Sequence, residues 1–451
     1  MKTNNLGWLS IFRLGLVQAA LGAIVVLTTS TLNRVMVIEV GLAAMIPGAL
    51  VTLHHAMQLL RPRMGFGSDV GQRRTPWIIG GMGTLALGGV TAATGTAVMK
   101  TNLTAGLAIG AVGFALIGVG VSAAGTSLLV LMAKRVASER RAAAATIVWM
   151  MMILGFAMTA GFAGKLLDPY SPLRLVQVAG GVSLLAFVLS VLGMWGVEGT
   201  GAAAAEVEAE PNEVKLPFRQ ALAQVWAERD ARRFTIFIAI SMISYSAQDL
   251  VLEPFAGAHF GFSPGESTKL SGVQHGGVFA GMLLVALATT LLRSTAAAGL
   301  KHWVVGGCMA SALAMGGLVV GGLQSGPWPV KANVFLLGLA NGVFCIAAIG
   351  SMMALATRGR SGREGVRMGL WGAAQAIAFG AGGFLGTLIV DAGKFLGLAP
   401  GPAAAVVFGL EVIGFLVAQW FALGVQFDAP VKAADAAGRQ PVPAEQPVGA
   451  A

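Results

Sequence analysis

The sequence predicts an all-α protein with twelve transmembrane helices arranged in two six-helix halves. Hydrophobic residues make up 56% of the chain and charged residues only 11%, whereas a soluble domain carries about 25% charged residues. Twelve apolar segments are long enough to cross the ~30 Å hydrocarbon core of a bilayer, which takes about 20 residues of helix. A polar stretch separates the first six segments from the second six. We therefore expect a polytopic membrane protein that has the lipid bilayer as a partner.

The apolar segments have approximate bounds that divide the chain into four parts. The first six segments cover residues 12–35, 41–60, 76–98, 104–132, 143–164 and 174–196. The second six cover residues 234–254, 271–292, 302–323, 331–356, 367–391 and 402–425. The predicted parts are an N-terminal half (1–197), a cytoplasmic linker (198–233), a C-terminal half (234–425) and a cytoplasmic tail (426–451). The tail is rich in Ala, Pro and Gly, so we expect it to be disordered.

The distribution of basic residues indicates the orientation of the chain. If both termini are cytoplasmic, only seven of the 30 Lys and Arg residues fall in outer segments. These seven residues are Arg34, Lys100, Lys165, Arg174, Lys269, Lys331 and Lys394. Such a bias follows the positive-inside rule and favours an even number of spans. The sequence therefore predicts that both termini lie in the cytoplasm.

The net charge of +10 does not indicate a nucleic-acid partner. The basic residues lie in short loops beside apolar spans, where such residues set the membrane topology. Both cysteines, Cys308 and Cys345, fall inside predicted spans and belong to no CxxC or Cys/His cluster. We therefore expect small apolar residues at these positions rather than a disulfide. The sequence predicts no metal site.

The linker contains an amphipathic segment. Residues 216–233 can form a helix with Phe218, Leu222, Val225 and Trp226 on one face. Such a helix can lie at the inner membrane surface with its apolar face in the lipid. The alternative is a solvated linker.

The loop between the second and third apolar segments combines glycines, one acid and a basic pair. Gly65, Asp69, Arg73 and Arg74 match the pattern G-x-x-x-D-R-x-G-R-R, whereas Val70 replaces its first Arg. This loop resembles the signature loop of the major facilitator superfamily. The resemblance implies the major facilitator fold and a latch between the two halves. The alternative is a basic loop that only sets the topology.

Three further stretches narrow the resemblance. They cover residues 31–39 at the end of the first segment, 248–255 at the end of the seventh, and 261–268 after it. Their polar signature residues are Asn33, Arg34, Glu39, Gln248, Asp249, Glu253 and Pro254. The chain resembles the PucC-type family of phototrophic bacteria, also called the light-harvesting complex assembly or bacteriochlorophyll delivery family. Within it, the chain is most similar to the branch labelled bacteriochlorophyll synthase 44.5 kDa chain.

The resemblance implies a non-enzymatic membrane factor for the biogenesis of the photosynthetic apparatus. The implied cargo is bacteriochlorophyll or a precursor, and the implied partners are light-harvesting antenna subunits and pigment-biosynthesis enzymes. The implied location is the bacterial inner, intracytoplasmic photosynthetic membrane. The resemblance also implies inverted three-helix repeats within each half and a cavity between the halves. A cavity lined by glycine and apolar side chains suits a macrocycle with a long alkyl tail.

Two acidic residues of the signature lie one helical turn apart. Asp249 and Glu253 therefore share a helix face. From a helix start near Phe234, Glu253 lies ~28 Å along the axis at a rise of 1.5 Å per residue. This places the pair near the outer interface of the membrane. One interpretation is a pair of solvated carboxylates at a helix end, and the other is a polar gate in which Arg34 and Glu39 are partners.

Three histidines are candidate pigment ligands. His54 and His55 lie near the inner end of the second segment, and His275 lies near the outer end of the eighth. A neutral imidazole can ligate the magnesium of a bacteriochlorophyll, hydrogen-bond to another helix, or relay a proton. Adjacent helical residues point about 100° apart. At most one of His54 and His55 therefore faces a given partner.

Glu411 is the only acidic residue near the middle of a predicted span. An acidic side chain is costly in lipid and by default suggests function. Glu411 is therefore a candidate proton site or cargo site, and the alternative is a protonated residue that only packs. A second hypothesis for the whole chain is a proton-coupled major facilitator transporter of a small molecule.

The sequence predicts no catalytic residue. A prenyltransferase that esterifies bacteriochlorophyllide needs paired Asp-rich motifs to hold magnesium diphosphate. The seven aspartates of this chain are scattered singly along it. A third hypothesis therefore gives the chain only an accessory role in late bacteriochlorophyll biosynthesis.

Overall fold

The computed structural model of the chain describes residues 6–61, 64, 73–137, 140–198, 218–291, 299–324, 326–356 and 364–425. Nearly all of these residues are helical, which confirms the all-α fold class. The first six main helices are α1 (Trp8–Val26), α2 (Met45–Met57), α3 (Thr75–Val98), α4 (Leu103–Arg135), α5 (Arg141–Leu166) and α6 (Pro172–Met194). The second six are α7 (Arg229–Phe260), α8 (Pro264–Leu291), α9 (Leu300–Leu323), α10 (Val330–Ala356), α11 (Glu364–Phe395) and α12 (Pro400–Leu423).

Eleven of these helices, counted over the described ranges, are long and apolar enough to cross a membrane. The exception is α2, whose 13 residues are followed by a 3₁₀ turn, Gln58–Leu60. At the other extreme, α7 extends beyond the predicted segment 234–254 at both ends. Its first turn is rich in Arg, whose long side chains can reach water while the backbone continues as helix. Hydropathy therefore underestimates the length of this helix.

Two π-helical turns extend α1. They cover Leu27–Leu32 and Val35–Glu39, so that a continuous apolar span runs over Trp8–Glu39. The predicted first segment ended at residue 35. The extension matters because it places the polar residues of the first signature stretch against α7 and α8 of the C-terminal half.

Polar contacts in the N-terminal half join helix ends on the side of the bundle where α1 begins and α12 ends, which we call the terminal side. The Arg13 guanidinium donates to the carbonyl of Leu192, over 3.1 Å. The Glu198 carboxylate, just beyond α6, accepts from the backbone N–H groups of Arg74 (2.5 Å) and Thr75 (2.8 Å). Burial alone would raise the pKa of Glu198, but the bonds from Thr75 and Arg74 outweigh burial and lower this pKa.

The C-terminal half has corresponding contacts on the terminal side. Arg233 donates to the carbonyl of Gly424, over 2.8 Å, and Lys301 donates to the carbonyl of Leu423, also over 2.8 Å. Arg367, at the start of α11, binds the Glu228 carboxylate through two of its nitrogens. These bonds tie the ends of α7, α9 and α12 together and hold α11 to the start of α7.

A short linker helix, Phe218–Ala227, precedes α7. Val225 is fully buried in the core of the C-terminal half, whereas Trp226 is 44% exposed. The side chains of Phe218 and Leu222, predicted for the same face, lie outside the described side chains. The linker helix therefore packs through Val225 onto the protein itself.

The halves have separate apolar cores joined by a smaller third cluster. This third cluster links Ile153 of α5 to Val278 and Met282 of α8 and Val343 of α10. Inside the C-terminal half, α8 and α10 touch through glycine. A Cβ at Gly277 would meet the carbonyl oxygen of Phe335, so this position leaves no room for a side chain. Gly277 therefore serves the close packing of this helix pair.

Candidate functional site

The candidate site is a layer of polar side chains between the two halves. It lies on the side of the bundle away from the chain termini, which we call the opposite side. The π-helical turns of α1 face α7 and α8 here, and π-turns are frequent at functional sites. Ser30, Thr31, Asn33 and Arg34 are all buried, although each is polar. Buried polar groups need hydrogen-bond partners, and α1 finds them in the other half.

Ser30 makes a long contact, with its hydroxyl 3.5 Å from that of Ser271, and three further side chains of α1 make shorter bonds. The hydroxyls of Thr31 and Thr268 lie 3.1 Å apart. The amide nitrogen of Asn33 donates to the carbonyl of Leu250 in α7, over 2.7 Å. Arg34 supplies the third bond. We call Thr31, Asn33 and Arg34, together with their partners in the C-terminal half, the interlock.

Arg34 is the charged member of the interlock. It is 2% exposed. Its Nη1 lies 2.5 Å from a carboxylate oxygen of Glu39, and its Nη2 donates to the carbonyl of Phe262 over 2.7 Å. The guanidinium lies against Gly257, where an added Cβ would be 3.0 Å from Nη2. The glycine thus admits the guanidinium between the halves.

Glu253 lies next to the interlock and is not solvated, because it is only 1% exposed. Neither of its oxygens has a hydrogen-bond partner of acceptable geometry within the described residues, although the Thr268 and Ser271 hydroxyls lie beside it. The longer α7 and the extension of α1 bury this position. The interpretation of Glu253 as a solvated helix-end carboxylate is therefore wrong for this residue, which lies buried beside Arg34 instead.

The other signature residues of α7 lie on either side of Glu253. Gln248 is fully buried, and within the described chain both atoms of its amide lack partners. Asp249 is half-buried and lies beside Gln274 of α8. Pro254 lines a small apolar cleft between α1, α7, α11 and α12. Its free space lies far below the roughly 300–1,000 Å³ of pockets for drug-sized ligands, so the cleft is too small for a tetrapyrrole.

Asp168, in the turn after α5, binds the start of α8. It accepts from the Ser263 hydroxyl (2.8 Å) and from the Lys269 ammonium (3.1 Å). Burial would raise the pKa of Asp168, but the bonds from Ser263 and Lys269 outweigh burial and lower it. Nearby, burial raises the pKa of Tyr170 to about 12, and the Glu39 charge adds to this effect.

Asp391, near the end of α11, makes the corresponding contact from the C-terminal half to the N-terminal half. Its two carboxylate oxygens accept from the backbone N–H groups of Ala44 (3.0 Å) and Met45 (2.7 Å) at the start of α2. An acidic group at a helix N-terminus satisfies free N–H groups and complements the helix dipole. Asp168 also accepts from the backbone N–H of Gly265 at the start of α8. Each half therefore caps the second helix of the other half with an aspartate at or just after the end of its own fifth helix.

Sequence reasoning missed these two capping aspartates. The signal was present, because Asp168 and Asp391 occupy similar places near the ends of the fifth and eleventh spans. It becomes visible only when the two halves are aligned by helix number.

The three candidate histidines have different surroundings. His54 is buried, and Gln58 Nε2 lies 3.1 Å from its Nε2 and 3.3 Å from Nδ1 of His55. His275 is also buried, with Nδ1 2.9 Å from the Ser271 carbonyl and its ring edge-on to Phe156. His55 is half-buried between α2 and α11. His55 is therefore the most accessible of the three imidazoles.

Glu411 of α12 is buried, and neither of its oxygens has a hydrogen-bond partner in the described part of the chain. Asp249 of α7 lies close enough to act on it electrostatically. The structure thus places two acidic side chains near each other inside the C-terminal half. Over the described ranges, no group of three or more His, Cys, Asp or Glu side chains could hold a metal ion.

The predicted latch loop is only partly described. Gly65 and Asp69 lie outside the described residues. Arg73 is exposed, whereas Arg74 is buried and its backbone N–H binds Glu198 of the same half. This bond joins α3 to the end of α6, and a latch between the halves stays a prediction.

Comparisons with known proteins give the family of the chain. A family model described as PUCC protein matches residues 31–429. The bacteriochlorophyll synthase 44.5 kDa chain of Rhodobacter capsulatus is 49% identical over 421 residues, which cover 93% of this chain and 96% of that protein. The protein PucC of Rhodobacter capsulatus is 29% identical over 439 residues, covering 92% of this chain and 91% of that protein.

Solved structures show the fold. The crystal structure of the peptide transporter POT in complex with sulfate superimposes with a TM-score of 0.66 at 14% identity, covering 94% of this chain and 96% of that one. At this identity the similarity concerns the major facilitator fold alone. The family model and the 49% identical relative both span most of the chain. The chain therefore belongs to the PUCC protein family.

Proposed function

We propose that the chain is a non-enzymatic membrane factor for the biogenesis of the photosynthetic apparatus, which binds or delivers bacteriochlorophyll and assists light-harvesting complex assembly. The observation that carries this proposal is the 49% identity, over nearly the whole length, to a protein named for bacteriochlorophyll. That relative is also named a synthase. The scattered aspartates of this chain favour a non-enzymatic role, because diphosphate chemistry needs paired acidic motifs.

We place the pigment ligand at His55. Its ring centroid lies 6.0 Å from that of Phe379 in α11, which supplies an apolar wall. Its Nδ1 faces Gln58, and Nε2 has no hydrogen bond within the described part of the protein. A macrocycle that approaches along the seam between α2 and α11 therefore meets an available nitrogen. His54 and His275 offer no comparable access because both are buried.

Ligation of the pigment through Nε2 of His55 sets a condition on the orientation of the Gln58 amide. A neutral imidazole that ligates through Nε2 carries its proton on Nδ1. The amide of Gln58 must then present its oxygen to His55, whereas Nε2 of Gln58 now lies 3.3 Å from Nδ1. Turning the amide satisfies this condition but breaks the bond that the Gln58 oxygen accepts from Arg61 Nη2, over 2.6 Å. Gln58 is therefore a positioning residue for His55, as is usual for groups behind a metal-ligating imidazole.

The direct test is the absorption spectrum of protein purified under mild conditions from a pigmented phototroph. We expect bound bacteriochlorophyll or a precursor. We expect His55→Ala to lose this absorbance and Gln58→Glu, which also offers an acceptor to Nδ1, to keep it. The matched control is His275→Ala, which removes a buried imidazole elsewhere. A colourless wild-type preparation, together with normal antenna levels in a deletion strain, would overturn the proposal.

The proposed partners are light-harvesting antenna subunits and pigment-biosynthesis enzymes, and the proposed location is the intracytoplasmic photosynthetic membrane with both termini cytoplasmic. The relatives named PucC and bacteriochlorophyll synthase support this setting. Mass spectrometry of proteins that copurify with the native chain tests the partners. Recovery of neither antenna subunits nor pigment enzymes would contradict this part of the proposal.

A second candidate is a proton-coupled transporter of a small molecule, which the burial of Glu411 without hydrogen-bond partners in the described chain favours. An unpaired acid in a membrane helix is a functional-site hypothesis by default. Uptake into proteoliposomes that depends on a pH gradient and is abolished by Glu411→Gln would support this candidate. A third candidate, an accessory subunit of late bacteriochlorophyll biosynthesis, would be supported by stimulation of the purified esterifying enzyme.

A further inference from the structure

We propose that Glu253 is a proton-binding residue that controls the interlock through Arg34. The carboxyl group belongs to α7 in the C-terminal half, and the guanidinium belongs to α1 in the N-terminal half. The proposal is independent of the cargo and concerns how the two halves are held together on the opposite side.

The geometry places an unused donor beside an unused acceptor. Both side chains are nearly inaccessible to solvent, and within the described residues Arg34 Nε and both Glu253 oxygens lack hydrogen-bond partners. Gly257 follows Glu253 by one helical turn and shares its helix face. A Cβ on Gly257 would lie 3.2 Å from Arg34 Nε. The guanidinium therefore lies one helical turn from Glu253, on the same face of α7.

The chemistry makes this arrangement sensitive to one proton. A buried ionised carboxylate without partners costs far more free energy than a protonated acid, so the described arrangement suits protonated Glu253. When the proton leaves, the carboxylate can accept a charge-assisted hydrogen bond from Arg34 Nε. This bond adds an ionic tie between the halves. Proton uptake removes this tie from the interlock, which keeps the bonds made by Thr31 and Asn33 and the bond from Arg34 to the Phe262 carbonyl.

Other charged groups surround the pair and define the controls. Glu39 binds Arg34 directly, and Tyr170 lies close to both of them. On the opposite-side ends of the packed elements, the other titratable or charged groups are Asp168 after α5, Asp249 and His259 on α7, Glu266, Lys269 and His275 on α8, and Lys331 on α10. His275 and Asp249 need separate variants, because either could produce a pH response of its own.

The test is a spin-label distance across the opposite side as a function of pH. The labels sit on Thr101→Cys, between α3 and α4, and Gln324→Cys, between α9 and α10, which are both exposed. The background carries Cys308→Ala and Cys345→Ala. We expect the distance to lengthen by several Å, as in gating motions of packed helices, when the pH falls from about 8 to about 5, the range in which buried carboxyl groups titrate.

We expect Glu253→Gln to keep the long distance at every pH, because it carries no charge. His275→Asn, Asp249→Asn and Glu411→Gln are matched controls that keep the wild-type response. Glu39→Gln frees Arg34 for Glu253 and should shift the transition to lower pH by about one unit. A wild type without a pH response, or a Glu253→Gln variant that keeps the wild-type response, would overturn the proposal. Gel filtration verifies that each variant is folded.

Discussion

The terminal side and the opposite side of the bundle are held together differently. On the terminal side, the described polar bonds join elements of one half, such as Glu198 to α3 and Arg367 to Glu228. On the opposite side, polar bonds cross between the halves through the interlock and through Asp168 and Asp391. Each half is thus stabilised as a unit at one side and tied to its neighbour at the other.

The largest expected effect concerns the stability of a single half. Gly277→Ala places a methyl group against the Phe335 carbonyl. We expect it to lower the free energy of unfolding by about 3 kcal/mol, the upper end for overpacking. Thermal unfolding in detergent measures it. Gly276→Ala is the matched control, because a Cβ there meets nothing within 4 Å. Equal melting temperatures for the two variants would show that the helices are not packed as described.

The next effect compares two ion pairs of similar burial. Arg34 and Arg367 are 2% and 1% exposed, and their partners Glu39 and Glu228 are 29% and 25% exposed. We expect Arg34→Met and Arg367→Met each to lower stability by about 2 kcal/mol, the loss of a charged hydrogen bond. Only Arg34→Met should lengthen the spin-label distance across the opposite side. Lengthening in both variants would remove the distinction between the two sides.

A smaller effect concerns the crossed aspartate caps. We expect Asp168→Ala and Asp391→Ala each to lower the free energy of unfolding by about 1 kcal/mol, as for other lost helix caps. Because the caps hold different helix pairs, their effects should add in the double variant. Asp391→Asn keeps an acceptor and should lose less than Asp391→Ala. A double variant as stable as wild type would show that these caps do not tie the halves together.

The smallest effect is a pH dependence on the terminal side. The folded-state pKa of Glu198 lies below the ordinary value of 4.5. Its contribution to stability is therefore complete above that value and is lost as the pH falls through the folded-state pKa. On acidification, we expect the free energy of unfolding to fall by about 0.5 kcal/mol less in Glu198→Gln than in the wild type. Parallel pH profiles for wild type and Glu198→Gln would contradict the assignment.

The sequence predicted the fold class well because hydropathy and charge report directly on the bilayer. The sequence also indicates Arg34, Glu39 and Glu253, since they belong to stretches that resemble the family. Their burial was not predicted. Distance along an ideal helix placed Glu253 near the interface, but burial depends on what covers the residue, and here the extended α1 covers it.

The sequence by itself determined that this chain is a helical membrane protein of the PUCC family with polar residues at the ends of its first and seventh spans. Its apolar runs, its loop charges and its signature residues are local features that can be read in order along the chain. Only the tertiary structure decided which polar groups meet. Asp391 binds the start of α2 across nearly the whole chain length, and Arg34 reaches the Phe262 carbonyl in the other half. Such pairings arise from the packing of one half against the other, which no local pattern encodes.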